Sequence, residues 1–202
     1  MKIDADVSQG VGERDLEIVR TIGDEELSVF SFDGLRRISG SHPETLSRIL
    51  ERLEEQGFVM KSPDGYMTTG KVKSVSDRGR VYGSSNEVPL LHTFLPYGTA
   101  PEDVMVALAG KWFDSLRWVG MAEGEDGVVM KWVTDDGSVI IDLKMSSGQV
   151  DIDARMKNEG DFPKGVRGAH QLIGRIGRLH SMPRAARAST PVKIGYFRPY
   201  AM

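Results

Sequence analysis

Residues 31–59, SFDGLRRISGSHPETLSRILERLEEQGFV, decide how the N-terminal part of the chain folds. The hydroxyl of Ser31 can cap a helix over residues 32–38, because serine accepts from the free N–H groups of a first turn. Gly40 follows, and glycine readily takes the left-handed conformation that ends a helix. This half of the stretch therefore predicts a short helix and a tight turn.

A second helix is predicted over residues 42–56. Ser41 and Glu44 have the spacing of a capping box, and Pro43 loses no hydrogen bond in a first turn. Gly57 supplies the C-terminal stop. Four apolar residues then recur at helical spacing and form one buried stripe: Leu46, Ile49, Leu50 and Leu53.

Further elements flank these two helices. Residues 14–22 carry apolar side chains at helical spacing and predict an amphipathic helix. Residues 58–61 and 66–69 predict two strands, joined by a turn at Ser62-Pro63-Asp64-Gly65. The predicted order is helix, helix, tight turn, helix and hairpin.

This order resembles the winged-helix domain of bacterial and archaeal transcription regulators of the MarR and IclR type. Residues 45–59 follow those families' rhythm, Thr-x-Ser-Arg-x-Leu-x-x-Leu-x-x-x-Gly before an aromatic residue and Val, and the resemblance covers about a third of the chain. It implies a sequence-specific regulator that binds double-stranded DNA. Because one recognition helix reads only a short site, a homodimer with two helices is expected.

The candidate DNA-binding residues lie on the polar face of the second predicted helix and at the base of the hairpin. Arginine can pair bidentately with guanine, and serine or threonine can bond bases or phosphates. We expect four residues to contact bases: His42, Thr45, Ser47 and Arg48. Three cations are expected on phosphates, with Lys73, Arg78 and Arg80 beyond them: Arg52, Lys61 and Lys71.

The charge of this region leaves an alternative open. Residues 1–80 have a net charge of −3, and four glutamates lie on the recognition helix itself: Glu44, Glu51, Glu54 and Glu55. The same charges would also form an ordinary solvated face. The alternative is therefore a non-enzymatic module that contacts protein or RNA through its winged helix.

The rest of the chain predicts an antiparallel meander flanked by helices. Residues 127–133, 138–144 and 149–155 are β-branched runs separated by turns, and residues 116–123 predict an extra strand. Helical spacing predicts helices over 101–116 and 165–180, and 191–197 is a candidate last strand. The expected fold class is α+β, with a winged-helix domain and linker over 1–85 and a dimerisation or effector-sensing domain over 86–202.

Two groups in this second part allow a binding function. Trp112, Trp118 and Trp132 lie within 21 positions, as in a domain core or, less often, an apolar pocket for a small-molecule effector. Asp151 and Asp153 share a strand face, where they form the wet side of a sheet or bind a cation.

The C-terminal stretch is strongly basic. Residues 81–161 have a net charge of −8, whereas residues 162–202 have a net charge of +8 and no acid. The basic stretch can dock on the acidic middle, which is the simpler interpretation, or meet an external anion. Arg175 and Arg178 share a helix face, so a second phosphate-contacting surface is also conceivable.

Composition and missing motifs exclude several classes of protein. A chain of 202 residues that is 40% hydrophobic and 27% charged is typical of a globular protein. Without cysteine it has no disulfide framework, thiolate zinc site or cysteine nucleophile. No metalloprotease, nucleophile-elbow or phosphate-loop motif occurs. We expect a cytoplasmic protein without cofactor, metal site, membrane span or catalytic activity.

Overall fold

The computed structural model describes residues 12–63, 65–72, 87–124 and 127–181. The first 57 positions of this set form three helices and three short strands in the order α1-β1-α2-α3-β2-β3. Their bounds are α1 Glu13–Asp24, β1 Val29–Phe30, α2 Phe32–Ser39, α3 Pro43–Glu55, β2 Val59–Ser62 and β3 Gly65–Thr68.

The second part contributes five longer strands and two further helices. A short 3-10 turn, Glu159–Asp161, precedes the last helix. The bounds are β4 Glu87–Phe94, α4 Pro101–Leu108, β5 Leu116–Gly124, β6 Gly127–Thr134, β7 Val139–Ser146, β8 Gln149–Met156 and α5 Phe162–Ser181.

All eight strands of the described residues belong to one antiparallel sheet in the order β2-β3-β1-β5-β6-β7-β8-β4. The predicted α+β class and the meander β5 to β8 are confirmed. Strand β1 joins the hairpin to the meander, because it pairs with β3 on one side and β5 on the other. The boundary predicted near residue 85 and the strand predicted at 191–197 lie outside the described residues.

The helix predicted over 101–116 is wrong in its second half. It ends at Leu108, and Gly110 follows with a φ of 72°, a conformation that turns the chain out of the helix. Leu116 then opens strand β5 instead of completing a helical stripe. Apolar residues continue beyond Leu108 because the turn and the strand are buried too, so spacing alone did not reveal the helix end.

Two cores lie on opposite faces of the sheet. Neighbouring strand residues alternate between them: Trp118, Trp132 and Ile141 pack with α4 and α5, whereas Val119, Val133 and Ile140 pack with α1, α2 and α3. The sheet is therefore sandwiched between the α1–α3 layer and the α4–α5 layer.

A buried cluster of charges fastens the α1–α3 layer to the sheet. Glu25, just after α1, accepts hydrogen bonds from Arg155 of β8 at 2.8 and 2.5 Å. Lys131 of β6 lies 3.3 Å from Glu25 and 2.8 Å from Asp142 of β7. Burial raises the pKa of Glu25, but the hydrogen bonds and charges of Arg155 and Lys131 outweigh it and lower that pKa overall. Glu25 is therefore ionised at neutral pH.

Candidate nucleic-acid interface

Helix α2 begins as predicted, at a serine cap. The Oγ of Ser31 accepts from the backbone N–H of Gly34 at 3.0 Å and donates to the carbonyl of Trp118 at 2.8 Å. Gly40 ends the helix with a φ of 67°. The same serine thus caps α2 and ties it to β5, which sets the platform against which α3 is held.

Helix α3 begins one residue later than the predicted capping box requires. Pro43 is its first residue and His42 its N-cap, without a side-chain cap hydrogen bond. Because proline favours the first helical position, Ser41 is displaced outside the helix. Its hydroxyl accepts from Ser39 at 3.0 Å instead. The capping-box prediction is therefore wrong, although the helix itself is present.

The two faces of α3 separate as the spacing predicted. All four residues of the apolar stripe are at most 2% exposed. Of the residues predicted to contact bases, His42, Ser47 and Arg48 are exposed, while Thr45 is half-buried. The N-terminal half of α3 therefore offers a polar surface to a partner.

Arg48, the residue best suited to read a base, is held only loosely. Its guanidinium donates to Glu44 at 2.6 Å, one helical turn earlier. The two side chains are 69% and 68% exposed, and exposed ion pairs of this kind contribute less than about 1 kcal/mol. Arg48 can therefore leave Glu44 for a stronger acceptor at little cost.

Arg52 is held far more firmly. Its guanidinium makes two hydrogen bonds to Asp15 of α1, at 2.9 and 2.6 Å. The carboxylate is 4% exposed, whereas the arginine side chain is 48% exposed. The hydrogen bond from Asp15 raises the pKa of Arg52 further above its ordinary value. In the structure this guanidinium fastens α3 to α1, with one edge left to solvent.

The two lysines predicted at the hairpin base contact the end of α3. Lys61 lies 2.8 Å from Glu54, and this hydrogen bond raises the pKa of Lys61. The Nζ of Lys71 donates to the carbonyl of Gln56 at 2.8 Å and lies 5.9 Å from the centre of the Phe58 ring. Both lysine side chains remain exposed. Lys73, Arg78 and Arg80 lie outside the described residues.

The three tryptophans do not form one site. Trp118 and Trp132 lie in the core, edge to face with ring centres 5.1 Å apart. Trp112 is 57% exposed and stacks under the guanidinium of Arg117 at 5.0 Å. The structure thus assigns two of them to packing and leaves the third at the surface.

The acidic pair on β8 faces cations of the sheet. Asp151 lies 2.5 Å from the Nδ1 of His92, and Asp153 lies 2.8 Å from Lys144. Among the described residues, no group of three or more His, Asp or Glu is arranged to hold a metal ion. No helix in that part of the chain has the length and hydropathy needed to cross a bilayer.

The interface contains one residue that sequence reasoning missed. Asp15 looked like an ordinary acid in the first turn of α1, where it favours the helix dipole. It lies 37 positions from Arg52, and nothing in the spacing links the two. A buried position for an acid on an apolar face was the available signal, since Asp15 lies three residues before the buried Ile18.

Comparison with known proteins adds no relative from which a role could be carried over. No protein-family model matches the chain, and no solved structure is significantly similar to it.

Proposed function

We propose that this chain is a sequence-specific DNA-binding transcriptional regulator, in which α3 enters the major groove and the β2–β3 hairpin lies beside it on the phosphate backbone. The observation that carries the proposal is the arrangement of elements. Helices α2 and α3 are joined by a turn of three residues, a hairpin follows α3, and its second strand pairs with β1. This is the arrangement expected of a winged helix.

The contacts within α3 support a role for its N-terminal half. His42, Ser47 and Arg48 are exposed there, and in helix-turn-helix proteins the first residues of the recognition helix reach the base edges. Arg48 would exchange Glu44 for the O6 and N7 atoms of a guanine, which it can contact bidentately. The partner it leaves is a weak one, so the exchange favours DNA.

The second part of the chain would then serve dimerisation or effector sensing. Two copies of α3 that read half-sites one helical turn apart must be spaced by roughly 34–36 Å. An effector that binds one arrangement of the dimer better than another would change the fraction that fits the operator.

A second candidate is a protein-interaction module that uses the same helix. It is favoured by the four glutamates of α3 and by the ion pairs of Arg48 and Arg52 with Glu44 and Asp15. An acidic face suits a basic protein partner better than it suits DNA or RNA.

A titration of DNA fluorescence anisotropy separates the two candidates. The full chain is titrated against DNA from upstream of its own gene and against a shuffled control, at two salt concentrations. A regulator binds the native sequence more tightly and weakens with salt. A protein-interaction module shows no preference between the two DNAs.

A further inference from the structure

The outer side of α5 carries positive charge that the rest of the described chain does not neutralise. Residues 162–181 contain Lys164, Arg167, Arg175 and Arg178 and no acid. Only Lys164 docks on acids of the preceding region, at 2.6 Å from Asp136 and 2.7 Å from Asp161. The docking that the sequence suggested is thus limited, among the described residues of this helix, to its first cation.

The later arginines point away from the acidic middle. Arg175 lies over the ring of Phe113 at 4.8 Å and is exposed. Arg167 and Arg178 are exposed, and no described residue forms an ion pair with either of them. They are three turns apart, about 16 Å along the axis, and border one open groove together with Phe162, His170 and Gly174.

The glycines of α5 show that this outer side is kept clear of side chains. A Cβ at Gly168 would lie 2.2 Å from Ile141, so packing on the sheet requires that glycine. A Cβ at Gly174 or Gly177 would meet no atom within 4 Å. Glycine weakens a helix relative to alanine, and nothing within the described fold explains these two.

From this charged, open surface we infer that α5 is a second nucleic-acid-binding surface, which holds the phosphate backbone of duplex DNA through Arg167 and Arg178 without reading sequence. The guanidinium fork matches phosphate oxygens bidentately. The glycines between the two arginines let the backbone of the duplex approach the helix closely. An extended polyanion can contact both arginines, whereas a small anion can contact only one.

Other polyanionic surfaces fit less well. A helix that lies on a membrane buries a continuous apolar face in it, but the apolar residues Leu172 and Ile176 of α5 are buried against the sheet. A second copy of α5 would bring arginine to arginine. Duplex DNA supplies regularly spaced phosphates and no such repulsion.

The position of α5 separates its duplex from the one proposed for α3. Helix α3 packs in the core on one face of the sheet and α5 in the core on the other. One straight duplex cannot contact both layers. One chain would therefore bridge two duplex segments, if the proposed function of α3 also holds.

The test titrates the full chain against a generic 20-bp duplex at several salt concentrations. The variant R167Q/R178Q should bind at least fivefold more weakly at low salt, and its salt slope should fall by about two because two phosphate contacts are lost. The control R20Q/K157Q removes the same charge from exposed positions on other elements and should bind like the wild type. Unchanged affinity and slope in R167Q/R178Q would overturn the inference.

A second variant separates binding from folding. G174A/G177A should melt at a higher temperature, since alanine favours the helix, yet bind the generic duplex more weakly because methyl groups obstruct the backbone. Equal or tighter binding would contradict a close approach at this site.

The outcome also distinguishes this inference from the proposed function. If R167Q/R178Q weakens generic binding but keeps the preference for the native sequence, both hold. If generic binding depends on these arginines and no preference exists, α5 binds DNA and α3 does not. Binding to anionic vesicles or polyglutamate, but not to DNA, would overturn the choice of partner.

Discussion

At the scale of single residues, the two arginines of α3 differ in what they are free to do. Arg48 and Arg52 lie one turn apart and were predicted to share the work of binding DNA. One pairs with an exposed carboxylate and the other with a buried one. A carboxylate that is left buried without its partner costs far more than an exposed one. Arg52 therefore supports α3, and Arg48 is the arginine available to a base.

Replacing Arg52 should destabilise the fold. We expect R52Q to lower the free energy of unfolding by about 1–3 kcal/mol, since the buried Asp15 loses two hydrogen bonds from a charged donor. R48Q, in the same helix, is the matched control and should change it by less than about 1 kcal/mol. Urea denaturation measures both. Equal effects of the two variants would show that the Asp15 contact adds nothing.

At the scale of elements, local signals predicted what local interactions determine. The Ser31 cap, the α3 stripe and the meander strands depend on neighbours in sequence, and all are present. Strand β1 has only two residues, so it has no periodicity, and its state comes from pairing on both sides. Strand β4 was missed because Pro89 and the irregular register at Leu90 break its alternation.

The contact between α2 and β5 is the clearest case of structure beyond local signals. A Cβ at Gly34 would lie 2.4 Å from the Cα of Val119 and 2.6 Å from the carbonyl oxygen of Trp118. Because both atoms belong to the backbone, no rotamer change relieves the overlap. The candidate interface is thus attached to the sheet through a glycine whose role the sequence did not indicate.

Substitution of Gly34 tests that attachment. G34A should lower the free energy of unfolding by more than about 3 kcal/mol, as overpacking against backbone does at its upper range. G70A, at an exposed position where a Cβ meets no atom within 4 Å, should be close to neutral. Thermal unfolding of the two variants compares them directly. A G34A chain as stable as G70A would mean that α2 does not pack closely on β5.

At the scale of the whole molecule, the sheet carries two helical layers with different tasks. The α1–α3 layer presents the proposed recognition helix, and the α4–α5 layer presents the basic helix. Glu25 links the first layer to three strands through Arg155, Lys131 and Asp142. This buried cluster determines how firmly the recognition helix is held on the sheet.

The cluster predicts a pH dependence of stability. Because the pKa of Glu25 is lowered in the folded chain, its contribution is complete above about pH 5 and is lost as the pH falls through the folded pKa. We expect E25Q to be about 3 kcal/mol less stable at pH 7 and to lose less stability than the wild type below pH 5. The control E17Q changes an exposed carboxylate on the same helix and should follow the wild type. Parallel pH profiles for wild type and E25Q would contradict a linkage through Glu25.

The most direct test of the central claim is the effect of R48A on base preference. Anisotropy titrations with DNA from upstream of the chain's own gene, with single-base variants of it and with a shuffled control give the preference at each position. The account predicts that R48A costs about 1–3 kcal/mol on the native sequence and relaxes the preference at one base pair, while its unfolding free energy stays near that of the wild type. A chain that binds native and shuffled DNA equally, or whose preference survives R48A unchanged, would contradict DNA reading by Arg48 of α3.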